Sequence, residues 1–171
     1  MGLKIKRVDL HTTGKYVKLE FEQSAASRGG EVVDSDNKVT IHKKPHDDLA
    51  NAFIRMVPHL MFLTELASVK VTRPEYFDDF AFVDEPEFKG VNVTGIVISG
   101  KDRDMIKLLG TKTTSKKQVI PLNAPVIWLE DNAENRYVLG DILRSNFSKL
   151  MDEAEKYHQG KYAVEEQEVL F

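Results

Sequence analysis

Few stretches of the chain carry residue types that catalysis, metal binding or phosphate binding requires. "GIVISGKD" (Gly95 to Asp102) falls one residue short of the phosphate-loop pattern G-x-x-x-x-G-K-[ST]. That loop works because flexible residues wrap their amides around phosphate, ahead of a helix and a hydroxyl that binds Mg2+. Here Ile96, Val97 and Ile98 are strand formers, Asp102 replaces the hydroxyl, and another strand pattern follows, so "SGKD" reads as a hairpin turn. His42 and His46 beside Asp47 and Asp48 resemble a ligand set only in composition. Lys43 and Lys44 between them repel a cation, and the acids suit a helix start. His59, next to Pro58 in an apolar segment, reads as a satisfied core histidine. Asp78, Asp79, Asp84, Glu85 and Glu87 are interleaved with Tyr76, Phe77, Phe80, Phe82 and Phe88. Such a stretch folds its rings inward and leaves its acids in water. No G-x-S-x-G nucleophile motif is present. The expectation is a protein that is not an enzyme and holds no metal or cofactor.

One charge feature has direction. "KDRDMIKLLGTKTTSKK" places Lys101, Arg103, Lys107, Lys112, Lys116 and Lys117 against only Asp102 and Asp104. In a hairpin, these cations are expected to gather at its ends and on one face, where they would follow a nucleic-acid backbone. The strip has no aromatic residue of its own for base stacking.

Composition narrows the setting. The chain has 171 residues, 24 Lys+Arg against 27 Asp+Glu and a formal net charge of -3, which excludes a binder that is basic all over. It has no cysteine, so disulfides, thiol catalysis and thiolate metal sites are excluded together. No apolar run approaches the roughly 20 residues of a membrane span, and "MGLKIKRVDL" lacks a signal-peptide core. The expectation is a cytoplasmic protein without membrane contact.

The elements that must position these residues follow from hydrophobic period. In "KYVKLEFE", Val17, Leu19 and Phe21 alternate with Lys18, Glu20 and Glu22, the pattern of a half-buried strand. "LKIKRVDL" and "KVTIHKK" read as strands on either side of it, with Gly14 in the first turn and a turn-rich "SAASRGGEVVDSDN" in the second. Leu49, Phe53, Met56, Leu60 and Leu63 then follow helical spacing, with Pro45 and Asp47 as start signals and a break expected at Pro58. "RPEYFDDFAFVDEPEFKG" reads as a long connection. Strands resume in "VNVTGIVISG", "DMIKLLGTKT" and "KQVIPLNAPVIWLE". A second helix carries the stripe Leu139, Leu143, Phe147, Leu150, Ala154 and Tyr157, and Gly160 ends it. The fold class expected is α+β: largely antiparallel sheet against two long amphipathic helices, strand-strand-strand-helix arranged twice, without clear sequence shared between halves. One domain is expected over 1–160, with a flexible acidic tail over 161–171.

That tail, "KYAVEEQEVLF", closes on two apolar residues. "EVLF" also occurs inside an engineered protease site, but cleavage there leaves a trailing glutamine, so the ending is taken as native. "QEVLF" resembles the glutamine-x-x-leucine-phenylalanine peptides by which bacterial replication and repair proteins bind the sliding clamp. Gln167, Leu170 and Phe171 hold the matching positions, and Glu168 stands where a small or aliphatic residue is usual. The acids Glu165, Glu166 and Glu168 before Phe171 also make the tail similar to those of bacterial and phage single-stranded-DNA-binding proteins. The chain as a whole resembles small phage-encoded proteins of unassigned function. Burying Leu170 and Phe171 contributes about 1.5–3 kcal/mol each, less the ordering of the tail, which suits transient, roughly micromolar recruitment.

These resemblances imply a non-enzymatic accessory protein of phage or bacterial DNA replication or recombination, in the cytoplasm of a bacterial host. Its body is expected to bind single-stranded DNA or another protein, and its tail to recruit a replication protein, the sliding clamp first. The alternative is a protein-interaction module, an inhibitor or adaptor without nucleic-acid contact. A third reading is a metal-dependent hydrolase using Asp78 or Asp79.

Overall fold

In the computed structural model, which describes residues 3–69, 73–130 and 137–164, the expected α+β class is present. All seven strands belong to one antiparallel sheet. They are β1 Leu3–Leu10, β2 Val17–Ala26, β3 Val32–Ile41, β4 Val91–Ser99, β5 Met105–Thr113, β6 Val119–Asn123 and β7 Ile127–Trp128. The order is β3-β2-β1-β4-β5-β6, with β7 also pairing β5. Each half is thus a meander, and the two meanders join where β1 pairs β4.

The halves repeat each other closely. Ile5↔Phe21 and Arg7↔Glu20 flank a bulge in β1, and Val93↔Gly110 and Gly95↔Leu109 flank a bulge in β4. Ile5 and Val93 are 88 positions apart, as are Arg7 and Gly95, while their partners differ by 89. The same offsets carry every pair from Leu3↔Gln23 to Leu10↔Val17 onto a pair of β4 and β5. Between the meanders Val8 faces Ile96, and these two are each other's equivalents. A local dyad therefore passes through that pair. β6 and β7 together stand for β3, interrupted at Pro125, which has no amide hydrogen to donate to a ladder.

One face of the sheet is apolar. Ile5, Val8, Val17, Leu19, Phe21, Val93, Ile96, Ile98, Ile106 and Leu108 are buried on it. The helices cover this face: α1 Asp47–Ile54, α2 Val57–Leu63, the single turn α3 Glu75–Asp78 and α4 Gly140–His158. The first helical segment breaks before Pro58, which sits in the first turn of α2 where its missing amide costs nothing. Its start differs from expectation. The cap is the His46 ring, whose Nδ1 accepts from the Asp48 amide at 3.2 Å, and Asp47 lies in the first turn. The α4 stripe is buried as its spacing requires, with Phe147 packed at its edge. Gly160 ends the helix region with φ 110, a conformation that favours glycine. The connection over 73–90 buries Tyr76, Phe77, Phe82 and Phe88 in the core. The chain also stays on the body past Gly160. Lys161 pairs with Asp48 (2.6 Å) and Glu153 (2.8 Å), Tyr162 bridges to Pro45, and the Ala163 amide donates to the Lys44 carbonyl.

The helix layer is pinned by a buried polar group. His59 is fully buried, and the Asn146 amide donates to its Nε2 at 3.0 Å. The ring proton is then on Nδ1 and is donated to the Tyr137 hydroxyl at 2.8 Å. Phe77 stacks on the ring at 4.6 Å. Burial pushes the His59 pKa from 6.5 down to about 3.

Two predictions follow from this packing. Because the unfolded chain takes up the His59 proton near its ordinary pKa and the folded chain does not, stability is full above about pH 6.5 and falls as pH drops toward 3. Between pH 7 and 5 the wild type should lose about 2 kcal/mol more than His59→Gln in urea titrations. Equal losses would place the acid sensitivity elsewhere. Gly110 stands where the other half has Phe21, and a Cβ there would collide with the Asn92 carbonyl and the Leu60 side chain of α2. Gly110→Ala should lower stability by about 1–3 kcal/mol in the same titration, through overpacking.

Candidate nucleic-acid interface

No helix packs on the second face of the sheet among the described residues, so its outward side chains meet solvent. Antiparallel topology sends the turns of a meander alternately to opposite ends, and this decides where the cations fall. Lys101 and Arg103 lie in the turn between β4 and β5, whereas Lys116 and Lys117 lie in the turn between β5 and β6. The 9 residues of β5 separate the two turns by about 27 Å. Lys107 sits on the outward face, in the third position of β5 and nearer the Lys101 turn. Lys112 is in phase with Ile106, Leu108 and Gly110, on the helix-covered side near the strand end. Arg103 is already engaged: its Nη2 donates to the Ile5 carbonyl at 2.8 Å, beside the β1 bulge where a ladder partner is missing. The six predicted cations therefore do not form one patch.

A larger basic region appears at the end of the sheet that holds Lys116 and Lys117. Three segments, 10–19, 37–46 and 105–129, carry nine lysines and no acid. The first supplies the turn between β1 and β2, the second the end of β3, and the third β5 to β7. Strand pairing brings Lys15 and Lys18, Lys43 and Lys44, and Lys112, Lys116 and Lys117 to the same end, across five strand spacings or about 24 Å. Among the described residues, Lys15, Lys18, Lys44, Lys112, Lys116 and Lys117 are in no ion pair. Elsewhere, Lys6 pairs with Glu22 and Asp36 and Lys156 with Asp152 and Glu153, while Lys89, Lys101 and Lys107 are in no ion pair among the described residues.

Aromatic rings stand in the same place. His11 and Tyr16 continue the outward face beyond the Asp9↔Lys18 pair and stack at 4.2 Å, tilted by 21°. His42 follows Ile41 and lies 5.3 Å from the Tyr16 ring. Three rings thus run across the ends of β3, β2 and β1. The sequence reading missed this row because its members come from separate segments. The acid-free runs were the available signal.

The remaining candidates have structural work. Gly95 to Ser99 lie in β4, and Gly100 turns the hairpin with φ 91, so the near-phosphate loop is a turn as read. His42 and His46 are occupied separately, by the Tyr16 ring and the α1 cap. Asp78 pairs with Lys149 at 3.1 Å and Arg55 at 3.5 Å. Among the described residues, no group of three or more His, Asp or Glu side chains is placed to hold a metal ion. No helix there is long and apolar enough to cross a membrane. Gln167, Leu170 and Phe171 lie outside the described residues. An apolar groove of about 430 Å³ opens between α1 and the start of β4, lined by Phe53, Ile54, Val57, Val83 and Phe88 among others.

No protein-family model, curated protein or solved structure matches the chain.

Proposed function

We propose that the protein is a non-enzymatic accessory factor of phage or bacterial DNA replication or recombination that binds single-stranded DNA along the basic end of its sheet. The observation that carries this reading is the convergence of unpaired lysines with the His42–Tyr16–His11 row. A single strand needs cations for its phosphates and ring faces for its bases, and stacking contributes about 1–3 kcal/mol per base without demanding a sequence. In the same reading Gln167, Leu170 and Phe171 recruit a replication partner such as the sliding clamp, supported by the sequence resemblance of the tail. The protein then acts in the cytoplasm of a bacterial host.

A second reading, a protein-interaction module without nucleic-acid contact, is favoured by the groove between α1 and β4, where Ile54 and Val83 remain exposed at 39% and 50%.

Fluorescence anisotropy with a labelled single-stranded oligonucleotide separates the two. With about four phosphates neutralised, log affinity should fall against log salt with a slope near -3. The double variant Lys116→Ala, Lys117→Ala should reduce that slope by about 1.4. Lys101→Ala, at the opposite end, should leave it unchanged. A flat salt response, or no binding at low salt, removes the DNA reading. Capture of a protein partner by the same preparation would then favour the module.

A further inference from the structure

We infer that the basic end contains a base-recognition subsite that prefers bases bearing an exocyclic amino group over thymine or uracil, with Asp9 as the discriminating residue. The inference rests on the single-strand reading above and names what that surface selects.

Beside the ring row the outward face holds a shallow concavity of about 320 Å³, bounded by Asp9, His11, Tyr16, Lys18, Thr94 and Thr111. The stacked His11 and Tyr16 rings form one wall, flat enough to receive a base. His11 Nδ1 accepts from the Thr13 hydroxyl at 2.7 Å and the Thr13 amide at 3.3 Å, which fixes the ring and leaves its Nε2–H unengaged. Asp9 is the only carboxylate in the wall. Its Oδ2 accepts from Arg7 Nε at 2.7 Å, an ion pair that orients the group. Its other oxygen lies against Gly95, close enough that a Cβ there would collide with it, and no donor among the described residues reaches it.

The subsite thus has one oriented, unsatisfied anionic acceptor, two threonine hydroxyls that donate or accept, and the Lys18 ammonium. A base with an amino group offers the carboxylate an N–H and offers the hydroxyls or ammonium an adjacent ring nitrogen or carbonyl. Thymine and uracil offer one imide N–H between two carbonyl oxygens, and those oxygens face the carboxylate unfavourably. Carboxylate to cytosine amine is an established pairing geometry, and one good pair discriminates by about 1–3 kcal/mol. The local dyad sharpens the assignment. Lys18 has an equivalent lysine, Lys107, in the other half, whereas the position equivalent to Asp9 is Val97. The acceptor therefore belongs to this end of the sheet alone.

The test compares oligo(dC) and oligo(dT) of equal length by anisotropy at low salt, with wild type, Asp9→Asn and Tyr16→Ala. Wild type should bind oligo(dC) about tenfold more tightly than oligo(dT). Asp9→Asn, whose amide both donates and accepts, should bring the ratio close to one, whatever its effect on overall affinity. Tyr16→Ala should weaken both ligands together and preserve the ratio. Equal wild-type affinities would overturn the subsite and leave the single-strand reading standing. A preference that survives Asp9→Asn would also overturn it, since the discrimination would then lie elsewhere. No binding of either oligonucleotide would remove the reading on which it rests.

Discussion

The pairing of β1 with β4 is the constraint on which the rest of the architecture depends. Only Arg7↔Val97, Val8↔Ile96 and Asp9↔Gly95 are in register there, yet those contacts turn two meanders into one sheet. Because Val8 and Ile96 are equivalents, the junction is self-complementary, as the interface of a two-fold dimer is. The matching bulges in β1 and β4 locally increase twist at equivalent places on either side of it. Arg103 then supplies the Ile5 carbonyl with a donor across the junction, from a turn in the other half. A slip by one residue would turn the apolar sets of both strands to solvent.

Symmetry in the sheet is not matched in the helix layer, and the departure has a local cause. Phe21 fills its side of the core and meets the His158 ring of α4 at 4.9 Å. Gly110, its equivalent, leaves room for Leu60 of α2 to approach the backbone. The first half thus spends volume on a side chain and the second on a helix. Across the gap between helices the His59, Asn146 and Tyr137 hydrogen bonds satisfy every polar atom of a fully buried ring. Removing one partner would strand the others, so the group fixes how α2 and α4 meet.

What the sequence disclosed and what it hid divide along a physical line. Val17, Leu19 and Phe21, or Leu143, Leu150 and Tyr157, announce themselves because burial has the period of the element. The early part of β3 does not. Val32, Val33, Asp34 and Ser35 lie exposed at a sheet edge, held mainly by backbone pairing to β2, so no burial pattern marks them as a strand. The split of β6 from β7 was equally hidden, although Pro125 between them supplied the reason. For the site, contiguity misled. The run from Lys101 to Lys117 spans β5 and the turns at its two ends, which antiparallel pairing places at opposite ends of the sheet. His42 meets the His11–Tyr16 pair only through the pairing of β2 with β3, and the lysines of the β5–β6 turn reach the same end only through the sheet order, neither of which a local pattern encodes.

The placement of charge argues that the basic end is not a device of stability. Where this protein uses lysine to hold itself together, it supplies a carboxylate: Lys161 with Asp48 and Glu153, Lys38 with Glu20. At the basic end six lysines lack such partners among the described residues, within a span of a few Debye lengths. Gathering like charges there opposes folding through self-repulsion. Asp9 does not relieve it, because its charge is already balanced by Arg7, and Asp48 nearby is taken by Lys161. In the proposed reading that relief comes from outside the chain, from an anion that also presents flat rings and so suits both the lysines and the half-exposed stack of His11 on Tyr16.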